Sequence, residues 1–399
     1  NERLFKELKD LTVDENTDKR ALIVKSVFED SYNYMKSGTL LRQLINKLNE
    51  IDFDEYEDRH AFNDIYENIL RDLQSAGNAG EYYTPRVLTE FMIDILDPKI
   101  GDKIADFACG TGGFLVSSLN HLEKGIKTVE DRKTVQSSLF GIEKKPLPHL
   151  LCMTNLLLHD LDSPTILRDN SLSSNIRDYT EKDKYDIIAM NPPFGGVEEA
   201  GVQINFPMEF RTSETADLFM ALIMHRLKET GRAGVILPDG FLFGNDNAKI
   251  AIKEKLLSEF NLHTIVRVPN GVFAPYTSIA TNVLFFDKTK PTEKIDYYQV
   301  PLPEGIKNGF TKTRPFRPEH LQGVKDWWNN RDQEDINAYS ATIEEIKKAN
   351  YNLDFKNPNL NKDEKEYSLH ELLTIMDTKS KNINRLLGQL SEVLEGVEE

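Results

Sequence analysis

The chain has 399 residues, enough for one large domain or two or three smaller ones, and its 39% hydrophobic and 29% charged residues describe a globular rather than a disordered protein. A formal net charge of −16 argues against a chain that grips nucleic acid by itself, because phosphate contacts call for a basic stripe. Two cysteines and eight histidines fall at no metal-ligand or disulfide spacing and no apolar run approaches a membrane span, so the expectation is a cytoplasmic protein with neither metal nor membrane.

Residues 1–78 read as a helical domain. LLRQLINKL (Leu40 to Leu48) and AFNDIYENILRDL (Ala61 to Leu73) carry apolar residues at helical spacing, and an acidic connector separates them. SAGNAG (Ser75 to Gly80) is a run of small residues that marks a boundary. GEYYTPR follows, with two tyrosines and a Thr-Pro corner. Alone it reads as a strand edge with surface aromatics; next to a ligand site it reads as a cover.

From Asp102 strands alternate with helices. KIADFA is a strand, and CGTGGFLVSSLNHL is a glycine loop opening a helix. LFGIE is a strand, HLLCMTNLLLHD a helix and DIIAM a strand. ADLFMALIMHRLKE is expected to be an amphipathic helix, and AGVILP, TIVRVP and NVLFFD are strands. Repeated βα units predict an α/β fold over residues 79–300, a doubly wound and mostly parallel sheet with ligands beyond the carboxyl ends of its strands. Residues 301–399 are expected to be irregular at first and to end in a helix. There Ser368 and Glu371 stand at capping-box spacing, and Ile383, Leu386, Leu387, Leu390, Val393 and Leu394 share one face. That face suits packing on the chain's own domain or on a partner.

ADFACGTGGFL (Ala105 to Leu115) matches neither GxGxxG nor a Walker loop, so it fits a small, only partly anionic ligand. Asp106 stands before the turn, where a carboxylate meets a cationic amine. Glu143 ends the next strand, where it can accept both hydroxyls of a ribose. Asp169 and Asn170 follow the third unit, where they can read an adenine edge. Each acid alone is an ordinary solvated strand end. The ordered set of amino acid, ribose and adenine describes S-adenosylmethionine. Cys109 lacks a neighbouring base and reads as a packing residue rather than a nucleophile.

The DIIAM strand stops at Asn191, Pro192, Pro193 and Phe194. Two prolines fix two φ angles and remove two donors, which makes a stiff corner. Such a corner can simply end a strand. Facing a methyl donor, it can do more. The lone pair of an aromatic amine is delocalised, and two acceptors on its N–H groups pull the nitrogen towards a tetrahedral shape. The Asn191 side-chain oxygen and the Pro192 carbonyl can be those acceptors, and Phe194 a face on which the base stacks. The chemistry is then in-line displacement by positioning, on a base flipped out of its duplex.

DFACGTGGF followed by NPPF resembles the amino-group DNA methyltransferases that make N6-methyladenine. GEYYTPR, FGIEKKP, RDNSL, NPPFGG and GRAGVILPDGFLF, in that order, resemble more closely the modification subunit of type I restriction–modification systems, over about Gly80 to Asp287. The resemblance implies a Rossmann-like methyltransferase fold. It implies that Glu81, Tyr82, Tyr83, Thr84 and Pro85 bind S-adenosylmethionine, with Ala108, Gly110, Thr111, Gly112, Gly113, Phe114 and Glu143. It implies that Asn191 to Phe194 hold the target adenine. Phe107 stands where the family commonly has proline, a local departure in the loop. The implied partners are double-stranded DNA, a specificity subunit that reads the target and binds two modification subunits, and a restriction subunit. Borrowed recognition fits the acidic charge, and the last helix is expected to dock on the specificity subunit. Two rivals are a protein glutamine N5-methyltransferase, whose relatives usually carry NPPY where this chain has Phe194, and a non-catalytic scaffold.

Overall fold

The computed structural model describes residues 2–12, 19–29, 35–52, 62, 65–66, 68–70, 83–274, 276–306, 308–331, 334–360 and 369–395. They divide into two units, Asn1–Lys356 and Asn357–Glu399. The first unit opens with helices α1 (Glu2–Lys9), α2 (Lys19–Glu29) and α3 (Gly38–Leu48, capped by Ser37). LLRQLINKL lies in α3 as expected. Much of AFNDIYENILRDL and all of SAGNAG lie outside the described residues. Of what is described there, Tyr66 and Leu70 are buried with Tyr83, and the Tyr66 hydroxyl donates to the Leu151 carbonyl at 2.9 Å, while Ile65 and Ile69 are exposed.

The sheet begins after helix α4 (Arg86–Leu96). Strand β1 (Ile104–Asp106) leads into α5 (Gly113–Glu123) and then α6 (Val129–Gln136). Strand β2 (Leu139–Ile142), helix α7 (Pro146–Leu158) and strand β3 (Thr165–Leu167) follow, with proline in the first turn of α7, where its missing donor loses nothing. Then come β4 (Tyr185–Met190), α8 (Thr215–Arg226), β5 (Leu227–Pro238), α9 (Asn247–Glu259), β6 (Asn261–Val268) and β7 (Thr281–Asp287). Strand β8 (Lys294–Gln299), helix α10 (Gln322–Asn329), strand β9 (Ala338–Thr342) and helix α11 (Ile343–Lys348) close the unit.

The nine strands form one sheet in the order β3-β2-β1-β4-β5-β7-β6-β8-β9. The adjacent pairs from β3 through β2, β1 and β4 to β5 are all parallel, and β7 is inserted antiparallel between β5 and β6. The central strands are covered on both faces. Ile187, Ile188, Ala189 and Met190 in β4 have no exposed surface, which is why the run reads as continuously apolar rather than alternating. Ile188 and Met190 face one hydrophobic cluster, Ile187 and Ala189 the other.

Three expectations need correction. The helix expected to be amphipathic is buried all round, every residue of α8 except His225, so its sequence has no polar stripe to set a phase. It also ends at Arg226. Leu227, Lys228 and Glu229 belong to β5, where Leu227 pairs with Tyr185, and that pairing overrides their helix propensity. The boundary at residue 300 falls inside the sheet, because β9 pairs antiparallel with β8 through Tyr297 and Tyr339, whose rings stack at 4.9 Å. The Pro-rich stretch after Pro301 is largely irregular, as expected. The two tryptophans are not in it but in α10, where Trp327 packs on Tyr298 at 5.2 Å.

The second unit holds α12 (Leu369–Glu395), the expected terminal helix. Ile383, Leu386 and Leu387 are exposed along it. Ser368 and the side chains of Glu371, Leu390, Val393 and Leu394 lie outside the described residues. No helix among the described residues is long and apolar enough to cross a membrane.

Candidate functional site

Strand β1 leads by one crossover to β2 on its one side and pairs with β4 on its other, so a crevice opens beyond their carboxyl ends. Three side chains meet there by register. Asp106 is the last residue of β1 and sits opposite Gly141. Glu143 follows the end of β2, and Asn191 follows the end of β4. A cavity of about 400 Å³ occupies the crevice.

The glycine loop forms one wall. The Cys109 amide donates to the Ile142 carbonyl at 3.0 Å, the Gly112 amide to the Cys109 carbonyl at 2.7 Å, and the Asn155 side chain to the Thr111 carbonyl at 2.9 Å. Gly112 caps α5 at φ +81°, and a Cβ there would stand 2.8 Å from the Cys152 sulfur. Only glycine suits that backbone and that space. The Cys152 thiol beside it, and then burial, hold the Cys109 thiol well above its usual pKa, so it packs and does not attack.

The two acids differ in how they are held. Asp106 is 1% exposed and, among the described residues, accepts only the Ala108 amide, at 3.1 Å. Burial pushes its carboxyl up to about 8; the Ala108 bond works against this and the nearby Glu143 charge adds to it. Glu143 accepts the Gly110 amide at 3.0 Å on one oxygen and the Lys145 amide at 2.8 Å on the other. Burial raises its pKa too, against the pull of those amides. Each Glu143 oxygen keeps a lone pair for a further donor. Among the described residues no cation offsets Asp106. A site built this way fits a ligand that brings a positive charge to Asp106 and hydroxyls to Glu143.

The opposite wall is the Asn-Pro-Pro-Phe corner. The Asn191 amide nitrogen donates to the Thr84 hydroxyl at 3.1 Å, while its Oδ1 is buried and accepts no hydrogen bond from a described residue. Leaving an acceptor in that state costs about 1–3 kcal/mol, and a ligand N–H would relieve it. Phe194 meets Phe273 edge to face at 6.3 Å.

Tyr83, Thr84, Asp106, Ala108, Gly110, Gly113, Phe114, Glu143, Asp169 and Asn170 line this cavity together with Asn191, Pro192, Pro193 and Phe194. Pro85, Thr111 and Gly112 stand behind it. Pro85 caps α4 and its carbonyl accepts from Leu88, Thr111 is tied to Asn155, and Gly112 caps α5. Glu81 and Tyr82 lie outside the described residues. Sequence reasoning missed several lining residues, among them Lys144, Ser171, Glu198, Thr215, Phe273 and Tyr276. For Phe273 and Tyr276 a signal existed: VFAPYT follows β6, whose carboxyl end opens on the same edge as that of β4. Phe107, the departure in the loop, lines the cavity and also packs against Tyr185 and the Arg226 guanidinium, at 5.7 and 4.8 Å.

Residues 57–367 match the model of the N-6 DNA methylase family. The chain belongs to that family. It is 50% identical over 402 residues to the methylase subunit of the type I restriction enzyme EcoEI of Escherichia coli, covering 99% of this chain and 81% of that one. It is 30% identical to the EcoKI methylase subunit of Escherichia coli strain K12, of which it spans 60%. Among solved structures, a protein described as a modification subunit of a type I restriction enzyme from Vibrio vulnificus YJ016 superposes with a TM-score of 0.82 and 46% identity, over 90% of this chain and 76% of that one. A chain from work on complex assembly in a type I restriction–modification system superposes at 0.84 with 35% identity, over 99% and 82%. These relatives place the chain among the modification subunits of type I systems, as adenine-specific DNA methyltransferases. The glutamine-methyltransferase and scaffold readings find no support among them.

Proposed function

We propose that this cavity binds S-adenosylmethionine over the glycine loop and a flipped adenine against the Asn-Pro-Pro-Phe corner, and that the chain methylates the adenine N6. The reading rests above all on Asn191, which lines the same cavity as Asp106 and Glu143 and whose buried Oδ1 accepts no hydrogen bond from a described residue. Asp106 would pair with the amino group of the cofactor and Glu143 with its ribose, while Asp169 and Asn170 flank its adenine. The Asn170 side chain already accepts the Leu172 amide at 3.1 Å, which fixes the turn that presents these two residues. Bound S-adenosylmethionine supplies an electrophilic methyl group next to a positively charged sulfur.

The protein's part is positioning. Asn191 Oδ1 and the Pro192 carbonyl would accept the two N6 hydrogens and draw the nitrogen towards a tetrahedral shape, which withdraws its lone pair from the ring system and aims it at the methyl group. Phe194 carries the flipped base, a stack worth roughly 1–3 kcal/mol. A new N–C bond would form at N6 as the methyl–sulfur bond breaks and its electron pair returns to sulfur, leaving the neutral thioether S-adenosylhomocysteine; the surplus proton on N6 would leave to water, so no strongly perturbed base is needed at the corner.

The target sequence comes from elsewhere. An acidic chain with a charge of −16 suits a subunit whose DNA contacts are shared with a specificity subunit, two copies of this chain flanking one such subunit, with a restriction subunit joining in. Helix α12 offers exposed Leu372, Leu373, Met376, Ile383, Leu386 and Leu387 for that assembly. The test is transfer of labelled methyl to double-stranded DNA by the chain alone and with its specificity subunit. N6-methyladenine made only with the partner supports the reading. Label on protein, or none with cofactor bound, refutes it.

A further inference from the structure

The sequence assigned Thr84 to the cofactor, yet its hydroxyl bonds to the catalytic corner, 107 positions away in the chain. A primary amide has nearly the same shape either way round, so packing alone does not decide whether the Asn191 oxygen or nitrogen faces the cavity. The difference is decisive for an amine substrate. An oxygen there accepts an N6 hydrogen; a nitrogen would set donor against donor. Thr84 is the one described residue that bonds the Asn191 side chain, and the orientation it holds is the one in which Nδ2 donates to its hydroxyl.

We propose that Thr84 is a positioning residue: by accepting the Asn191 Nδ2 hydrogen, its hydroxyl holds the amide in the orientation that leaves Oδ1 for the target amine. Thr84 is well placed for this. Pro85, next in the chain, caps α4, and its carbonyl accepts the Leu88 and Thr89 amides at 2.9 and 3.2 Å. Thr89 then meets Ser117 of α5, hydroxyl to hydroxyl, at 2.8 Å. The Thr84 carbonyl lies 3.9 Å from where a Cβ of Gly113 would stand. The glycine loop, the start of α4 and the Asn191 amide thus form one chain of contacts, so the part that holds the cofactor also orients the group that holds the base.

The inference rests on the methyltransferase reading, and the test separates the two. Methyl transfer is measured with the chain in complex with its specificity subunit, at saturating cofactor and DNA. Thr84→Val keeps the shape and removes the acceptor; kcat should fall about tenfold, while the S-adenosylmethionine Kd stays within about twofold. Thr84→Ser should recover most of the lost rate. In an Asn191→Asp background both side-chain oxygens accept, so orientation no longer matters, and Thr84→Val should cost less than about threefold. A raised cofactor Kd with unchanged kcat would return Thr84 to the cofactor and overturn the proposal. So would an equal loss in the Asn191→Asp background, which would mark a general structural role, or an unaltered Thr84→Val enzyme. A wild-type complex that transfers no methyl to DNA would sink the functional reading and the proposal together.

Discussion

The two walls of the cavity are built on opposite principles. At the ends of β1 and β2 the protein buries acids. Asp106 has one amide for company and a pKa raised to about 8, and Glu143 is steadied by two amides. At the end of β4 it sets neutral groups on a rigid frame: the buried Pro192 and the exposed Pro193, with a half-buried amide and a half-buried aromatic ring beside them. The acidic wall is electrostatically unfinished until a cation arrives, so it should govern affinity and respond to pH. The neutral wall lacks one hydrogen bond and no charge, so it should govern rate and ignore pH. The difference teaches that one crevice can separate holding from reacting by the kind of group placed at each strand end.

The largest effect should come from the neutral wall. Asn191→Ala removes an acceptor that acts on the reacting nitrogen, and kcat should drop roughly 10²–10³-fold, by analogy with single oxyanion-hole deletions. Cofactor affinity, measured by calorimetry, should barely change. A large loss of cofactor binding in that variant would break the division. Next come the acids. Asp106→Asn and Glu143→Gln each remove a charged partner and should weaken S-adenosylmethionine about 10–100-fold, the range for hydrogen bonds to charged groups. At saturating cofactor their kcat should stay near wild type. Smaller again is Phe194→Ala. Loss of a stack of about 1–2 kcal/mol should reduce affinity for the flipped base roughly tenfold, and Phe194→Leu should recover part of it. Fluorescence of a duplex with 2-aminopurine at the target position reads this directly.

The same contrast explains what was legible in the sequence. Both walls are short stretches at strand ends, and DFACGTGGF and NPPF each carry their chemistry within a few residues. What the sequence concealed is what long-range pairing supplies. VFAPYT hinted at Phe273 and Tyr276, but that their loop opens beside β4 depends on the α9 crossover bringing β6 back parallel to β5 with β7 inserted between them, a topology no local pattern encodes. Strand β8 shows no clean alternation, since Tyr297 and Tyr298 are both buried on opposite faces, and Ala338–Thr342 is too polar to announce a strand without β8 beside it. Helix α8 misled because a segment buried on all sides has no face to read. Thr84 was legible as part of a site but not by its role, because its partner Asn191 is set beside it only by the fold.

The smallest effect is also the sharpest test of the contrast. Ionised Asp106 is the form that pairs with a cation, and in the free protein its pKa of about 8 leaves it mostly protonated at pH 7. Binding must then expel a proton, so the acidic wall's share of the affinity is low in mild acid, rises with pH, and levels off above the pKa. Between pH 7 and pH 8 the Kd for S-adenosylmethionine should tighten about fivefold, the change in the ionised fraction of one such group. Calorimetry in two buffers of different ionisation enthalpy should detect the released proton at pH 7. The ligand's own amine also titrates, which is why the control is Asp106→Asn: the slope that belongs to the acidic wall disappears there and the ligand's share remains. Over the same range kcat at saturation should be flat, since no titratable side chain stands at Asn191 to Phe194. A flat Kd would show that Asp106 is ionised before the cofactor arrives, with a partner the free protein already provides. A kcat that follows pH would place a proton-transfer group at the neutral wall, for which Glu198, next to the corner and in contact with Thr215 at 3.2 Å, is the nearest candidate.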